Sequence, residues 1–108
     1  MSDTEKQSKL EIELSPDAEN NLILIEAYII DEVDFSTADR LVDQILARCE
    51  DLAVMPRAGR TRDEIAPGVR SVTSGNYAIY YRINTDKVEI LRVWHTSRDI
   101  AAIKNDLS

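Results

Sequence analysis

The stretch YAIYYRINTDKVEILRVWH, running from Tyr77 to His95, decides the fold. It holds two runs rich in β-branched and aromatic residues, roughly Tyr77–Ile83 and Val88–Trp94. Such side chains fit a pleated, half-buried surface, and Asn84-Thr85-Asp86-Lys87 between the runs supplies a tight turn. A third run, Val69–Ser74, precedes them and joins through Gly75-Asn76, a pair suited to a hairpin turn. The expectation is a three-stranded antiparallel meander. A turn centred on Thr85-Asp86 pairs Arg82 with Glu89 and Tyr80 with Leu91. Side chains alternate along strands, so Arg82, Glu89 and His95 then share a face. A two-residue Gly75-Asn76 loop pairs Arg70 with Tyr81 on the other face. A one-residue change of register would invert this sorting.

Working outward, Lys9 to Leu14 alternates charged and apolar residues, the pattern of a half-buried strand. Ser15-Pro16-Asp17 then starts a helix. Ser15 caps, Pro16 suits the first helical position, and Asp17 and Glu19 suit the positive end of the dipole. The helix runs to about Val33 with Ala18, Leu22, Ile25, Ile29 and Val33 as its apolar stripe. A second helix starts at Ser36, with Asp39 three residues on. Its stripe is Ala38, Leu41, Val42, Ile45, Cys49 and Leu52, and Met55-Pro56 ends it. So few residues separate the helices that they form an antiparallel hairpin. Residues 56–68 form a basic loop with Arg57, Arg60 and Arg62. Ser97 to Leu107 has a helical pattern through Ile100, Ile103 and Leu107.

The fold class is therefore α+β, in the order β-α-α-β-β-β with a short C-terminal helix. A helical hairpin covers one face of a small, mostly antiparallel sheet. The face bearing Val72, Ile79, Ile83, Val88 and Ile90 should meet Leu22, Ile25, Ile29, Leu41, Ile45 and Cys49.

Composition bounds the rest. A chain of 108 residues fits one domain, read here as 9–108, behind a flexible polar tail at 1–8. Charge is asymmetric within the net −7. Residues 1–55 hold 4 Lys/Arg against 14 Asp/Glu, a balance of −10, and residues 56–108 hold 9 against 6, a balance of +3. That distribution is a poor match to nonspecific nucleic-acid binding, which calls for a strongly basic surface. The one cysteine, Cys49, lies on an apolar helical stripe and reads as an inert core thiol. One Cys and one His on distant segments furnish no metal site. No Gly-rich phosphate loop or nucleophile motif is present, so no cofactor is expected. No apolar run is long enough to span a bilayer, and the first residues lack the apolar core of a signal peptide. The expected location is the cytoplasm, away from membranes.

Several segments, in order, resemble one family. They are Leu52 with Pro56-Arg57-Ala58-Gly59-Arg60, Gly68-Val69-Arg70-Ser71, Tyr77-Ala78-Ile79-Tyr80-Tyr81-Arg82, and Val88 to His95 with Arg98-Asp99. Together, over about residues 9–104, they resemble the ParE branch of the RelE/ParE toxin superfamily. The resemblance implies a toxin silenced by a cognate antitoxin, through a segment that wraps it. ParE-like members poison DNA gyrase, whereas RelE-like members cleave messenger RNA in the ribosome.

The two activities demand different residues. Metal-free RNA cleavage needs a base, an acid and cations for the phosphate charge. His95, Arg82 and Arg70 are the candidates here. Some RelE-like ribonucleases carry a similarly placed histidine, often followed by a tyrosine, where this chain has Thr96. A binding toxin needs only a complementary surface, for which Arg57, Arg60, Arg62, Arg82 and Arg98 are the candidates. Each residue also has a structural reading. Arg82 can pair with Glu89, His95 can hold the strand end, the loop arginines can be solvated, and Tyr77, Tyr81 and Trp94 can be core or rim. The leading expectation is a gyrase-directed toxin with no catalytic residues assigned. The alternatives are a ribosome-dependent endoribonuclease, acting on ribosome and mRNA, and a non-toxic interaction module of the same fold.

Overall fold

A computed structural model describes residues 9–107, and the tail expected at 1–8 lies outside them. The elements are β1 (Glu11–Leu14), α1 (Pro16–Glu32), α2 (Phe35–Val54), β2 (Arg60–Thr61), β3 (Val69–Ser74), β4 (Tyr77–Asn84), β5 (Lys87–His95) and α3 (Ile100–Leu107). The strands form one sheet in the order β1-β5-β4-β3-β2, with β1 parallel to β5 and the other pairs antiparallel.

Ser15 caps α1 as its chemistry dictates. Its Oγ accepts from the Ala18 N–H at 3.0 Å and donates to the Leu91 carbonyl at 2.9 Å, so the cap also fastens the helix to β5. The second helix starts one residue earlier than Ser36. Asp34 is its cap, accepting from the Thr37 N–H at 2.7 Å, and the bonds from Thr37 hold its carboxyl below its ordinary value. A carboxylate at that end gains from the helix dipole as well as from the hydrogen bond.

Between β3 and β4, Ser74 faces Tyr77, so the loop is the two residues Gly75-Asn76. Gly75 takes φ 57°, which a first loop position in a tight hairpin turn demands and glycine accepts without strain. Arg70 faces Tyr81, as expected. Between β4 and β5 the expected register holds as far as Tyr81 against Ile90. A bulge follows: Tyr81 faces Ile90, but Tyr80 faces Arg92 rather than Leu91. One extra residue inverts the side chains beyond it. His95 therefore faces Tyr77 and joins that residue's side of the sheet, not the side of Arg82 and Glu89. The polar backbone around the bulge is satisfied by the β1–α1 junction. The Ile90 carbonyl accepts from the Ser15 N–H at 2.9 Å, and the Val93 N–H donates to Asn21 Oδ1 at 3.0 Å.

Val72, Ile79, Tyr81, Val88 and Ile90 pack with Ile45, Cys49 and Leu52, flanked by Leu22, Ile25, Leu41 and Ile83. Two residues assigned to the α1 stripe leave this core: Ile29 lines an open cleft and Val33 is exposed. The helix end diverges from the sheet. The opposite face is also covered. Ile65, Val69, Ala78, Tyr80, Leu91 and Trp94 pack there with Ile103 of α3.

The basic loop is fastened from beneath by Tyr81. Its ring is fully buried, and its hydroxyl donates to the Pro56 carbonyl at 2.7 Å and accepts from the Gly59 N–H at 2.9 Å. Gly59 sits so close that a Cβ would lie 2.5 Å from the Tyr81 hydroxyl and 2.8 Å from the Ser71 carbonyl oxygen. Arg70 adds a second tie, its Nη1 donating to the Gly59 carbonyl at 2.7 Å and the Arg57 carbonyl at 3.3 Å.

Three outcomes follow from this packing. Ile79→Ala should lower stability by about 2–5 kcal/mol in chemical unfolding, and an unchanged midpoint would remove Ile79 from the core. Gly59→Ala should cost about 1–3 kcal/mol through overpacking against atoms that have little room to move, and an unaltered melting temperature would contradict the tie. Burial pushes the Cys49 thiol up from its ordinary 9.0 to about 12. The native state then holds that proton more tightly than the unfolded chain. Its contribution is complete below about pH 9 and is lost as pH rises towards 12. Burial raises the Tyr81 phenol too, adding to the loss above its ordinary 10.0. Urea unfolding measured from pH 8 to 11 should show stability falling, with Cys49→Ala reducing the slope.

Candidate partner-binding site

The arginines nominated from sequence do not form one patch. Arg57, Arg70 and Arg82 line a cleft of about 550 Å³ where β3 begins and β4 ends, together with Thr61, Asp63, Gly68 and Thr85. The two strands bring Arg70 and Arg82 there on opposite sides of the sheet end. Arg82 Nη2 donates to the Pro67 carbonyl at 3.2 Å. Its cross-strand neighbour Glu89 instead accepts from Asn84 Nδ2 at 3.1 Å. Among the described residues, none of these three guanidinium groups has a carboxylate within 4.0 Å. Arg60 is exposed on β2, beside this cleft in the chain.

Arg62 has a different role. Its side chain is only 13% exposed, pairs with Glu64 at 2.8 Å, donates to Ser71 Oγ at 3.2 Å and lies 6.0 Å from the Tyr80 ring centre. That hydrogen bond holds the Glu64 carboxyl below its ordinary value. Arg62 thus fastens the 62–66 segment to the sheet. Arg98 lies at the far end, its guanidinium 3.4 Å from the centre of the Trp94 ring, a close cation–π stack.

His95 occupies that far end too. It borders a second cleft, of about 630 Å³, between α1 and the ends of β4 and β5, walled by Leu24, Ile25, Tyr28, Ile29 and Tyr77. Its ring meets Tyr77 edge-on, with centres 5.3 Å apart. Nδ1 accepts from the Ser97 backbone N–H at 3.1 Å and lies 2.8 Å from Ser97 Oγ. A backbone N–H can only donate, so in the neutral ring the proton sits on Nε2. The unprotonated nitrogen is already engaged in holding the 95–97 turn.

Arg70 and Arg82 are therefore separated from His95. Arg70 is level with Tyr81 and His95 with Tyr77, four residues along β4. At roughly 3.3 Å per residue this is about 13 Å along the strand. The trio that RNA cleavage would need is not gathered at one phosphate. Among the described residues, no three His, Cys, Asp or Glu side chains are grouped as a metal site. No helix there is long and apolar enough to cross a membrane.

Sequence reasoning overlooked one surface. Ile23, Leu24, Tyr28 and Ile30 lie exposed along α1, with Val33 and Phe35 at the hairpin turn, and Phe35 is 67% exposed. The signal was present in Leu22-Ile23-Leu24-Ile25 and Tyr28-Ile29-Ile30. One helical stripe can bury only some of these residues. Exposed apolar side chains gathered on one helix and the turn after it are a candidate interaction surface.

Known proteins share this architecture. Residues 12–100 match the family described as the ParE toxin of the type II toxin–antitoxin system parDE. Toxin ParE1 of Mycobacterium tuberculosis is 30% identical over 88 residues, covering 81% of this chain and 90% of that protein. A solved structure of a chromosomal ParDE TA system from P. aeruginosa superposes with a TM-score of 0.72 at 20% identity, over 81% of this chain and 96% of that one. The toxin–antitoxin complex RelBE2 of Mycobacterium tuberculosis gives a TM-score of 0.61 at 25% identity, over 82% and 92%. With its helical hairpin, five-stranded sheet and short terminal helix, the chain belongs to the ParE toxin family of type II toxin–antitoxin systems, within the RelE/ParE superfamily.

Proposed function

We propose that this toxin acts in the cytoplasm by binding rather than by cutting RNA, that DNA gyrase is its target, and that a cognate antitoxin covers its arginine cleft and apolar α1 surface. The separation of His95 from Arg70 and Arg82 along β4 carries the choice of binding over catalysis. A ribonuclease needs acid, base and phosphate clamp within reach of one group. Charge supports the same choice. Binding ribosomal RNA depends on neutralising phosphates with Lys and Arg, and this chain carries a net −7. Gyrase as the target rests on the resemblance to the ParE branch. The antitoxin partner is supported by the structural relatives, which are themselves a ParDE TA system and a RelBE2 toxin–antitoxin complex. Exposed apolar side chains on α1 and, among the described residues, guanidinium groups without a carboxylate partner in the arginine cleft suit an antitoxin that offers both apolar anchors and acidic charge.

Two assays test the target. Purified protein should inhibit supercoiling by gyrase and leave a translated message uncut in primer extension. Codon-linked cuts that vanish in His95→Ala, with supercoiling untouched, would overturn the gyrase reading in favour of the ribonuclease. Loss of neither activity by the host target, with antitoxin binding intact, would favour the interaction module. For the partner, reversing Arg57 and Arg60 to Glu should slow antitoxin association about tenfold at low salt and flatten its salt dependence, because exposed charges act mainly on encounter. An unchanged association rate would exclude this segment from the interface.

A further inference from the structure

We propose that the cleft between Arg57, Arg70 and Arg82 is a carboxylate-binding site, built to take one acidic side chain of a peptide. That this peptide belongs to the antitoxin rests on the reading above. Arginine side chains on most protein surfaces find a carboxylate or extend into solvent. Here three of them line one concave site, and among the described residues none has an acidic partner within 4.0 Å. Two are held in place before any ligand arrives. Arg70 is fixed by the Gly59 and Arg57 carbonyls, and Arg82 by the Pro67 carbonyl. Each of those bonds uses a single terminal nitrogen, Nη1 in Arg70 and Nη2 in Arg82. The remaining N–H groups of each planar fork stay available for an anion's oxygens. Both side chains are half-buried, so part of the ordering cost is already met and a charge-assisted bond is less screened than on open surface. Thr61 and Thr85 bring hydroxyl groups to the same walls.

The surroundings favour a carboxylate on a peptide over a nucleic-acid phosphate. Asp63 also lines the cleft, its Oδ1 accepting from the Gly68 N–H at 3.0 Å. One fixed negative charge leaves room for a single monoanion but repels a chain of phosphates.

The test uses the full chain and three probes at matched ionic strength: a blocked hexaglutamate peptide, its hexaglutamine counterpart and inorganic phosphate. Binding is read by calorimetry and by the NMR resonances of the arginine Nε–H groups. Hexaglutamate should saturate and shift the Arg70 and Arg82 resonances, and hexaglutamine should not bind. Removing a charged hydrogen-bond partner in Arg82→Gln should weaken hexaglutamate binding about tenfold or more. Arg57→Gln, an exposed change that leaves the Tyr81 tie intact, should weaken it in the same direction, with both melting temperatures near the parent value. Absence of saturation, parental affinity in both variants, or tighter binding of phosphate than of hexaglutamate would each overturn the proposal. If the variants lose hexaglutamate but bind the antitoxin unchanged, the carboxylate site stands and the antitoxin is not its ligand.

Discussion

The buried hydroxyl of Tyr81 is the constraint on which the functional end of the molecule depends. A phenol carried into a core must find hydrogen-bond partners there, because an unmade bond costs more than a made one contributes. Tyr81 finds both of its partners in one segment, the Pro56 carbonyl and the Gly59 N–H. That choice draws the chain leaving α2 down onto β3 and β4. It leaves no room for a side chain at Gly59. Arg70 then closes over the same segment, and β2 pairs with β3 just beyond it. The position of Arg57, and with it the cleft shared with Arg82, follows from a tyrosine whose ring belongs to the core.

A second constraint acts at the other end. The bulge opposite Tyr80 and Tyr81 switches the parity of β5, so its residues from Arg92 to His95 reach the faces opposite to those that unbroken alternation would give them. Ser15 and Asn21 satisfy the backbone there, so the first helix and the bulge are one structural unit. The result is a molecule with separated polar ends, arginines at one and His95, Ser97 and Arg98 at the other. Separation suits a protein that presents a broad contact surface. It does not suit one that concentrates chemistry on a single bond. The apolar side chains left open on α1 point the same way, since their exposure is a standing cost in water that a partner would relieve.

Much of this was legible in the residues. Strand alternation, Ser15-Pro16 and Gly75-Asn76 located the elements and the first hairpin turn, because each depends on local geometry alone. The bulge was visible only in hindsight of its pattern. Val88 and Ile90 alternate, then Leu91 follows directly and Val93 resumes on the opposite parity. A break in period two is the mark of an inserted residue, but alternation on each side of it makes the run look like one continuous strand. The brief strand β2 carried no periodicity to detect, since two residues cannot show one. The division of the arginines was also out of reach. Arg62 differs from Arg57 and Arg60 only in having Glu64, Ser71 and Tyr80 brought to it by the fold.

The claim at the centre of this account is that one buried hydroxyl holds the arginine-bearing segment to the sheet. Amide hydrogen exchange at Gly59, compared between the parent and Tyr81→Phe, addresses it most directly. The substitution keeps the ring and removes only the hydroxyl, which accepts from the Gly59 N–H and donates to the Pro56 carbonyl. Protection at Gly59 should fall about tenfold or more, in keeping with the roughly 1–3 kcal/mol lost when a buried group is left unpaired, while Ile90 in β5 keeps its protection. Unchanged exchange at Gly59 would show that the segment is held by something else, and the account would fail at its root.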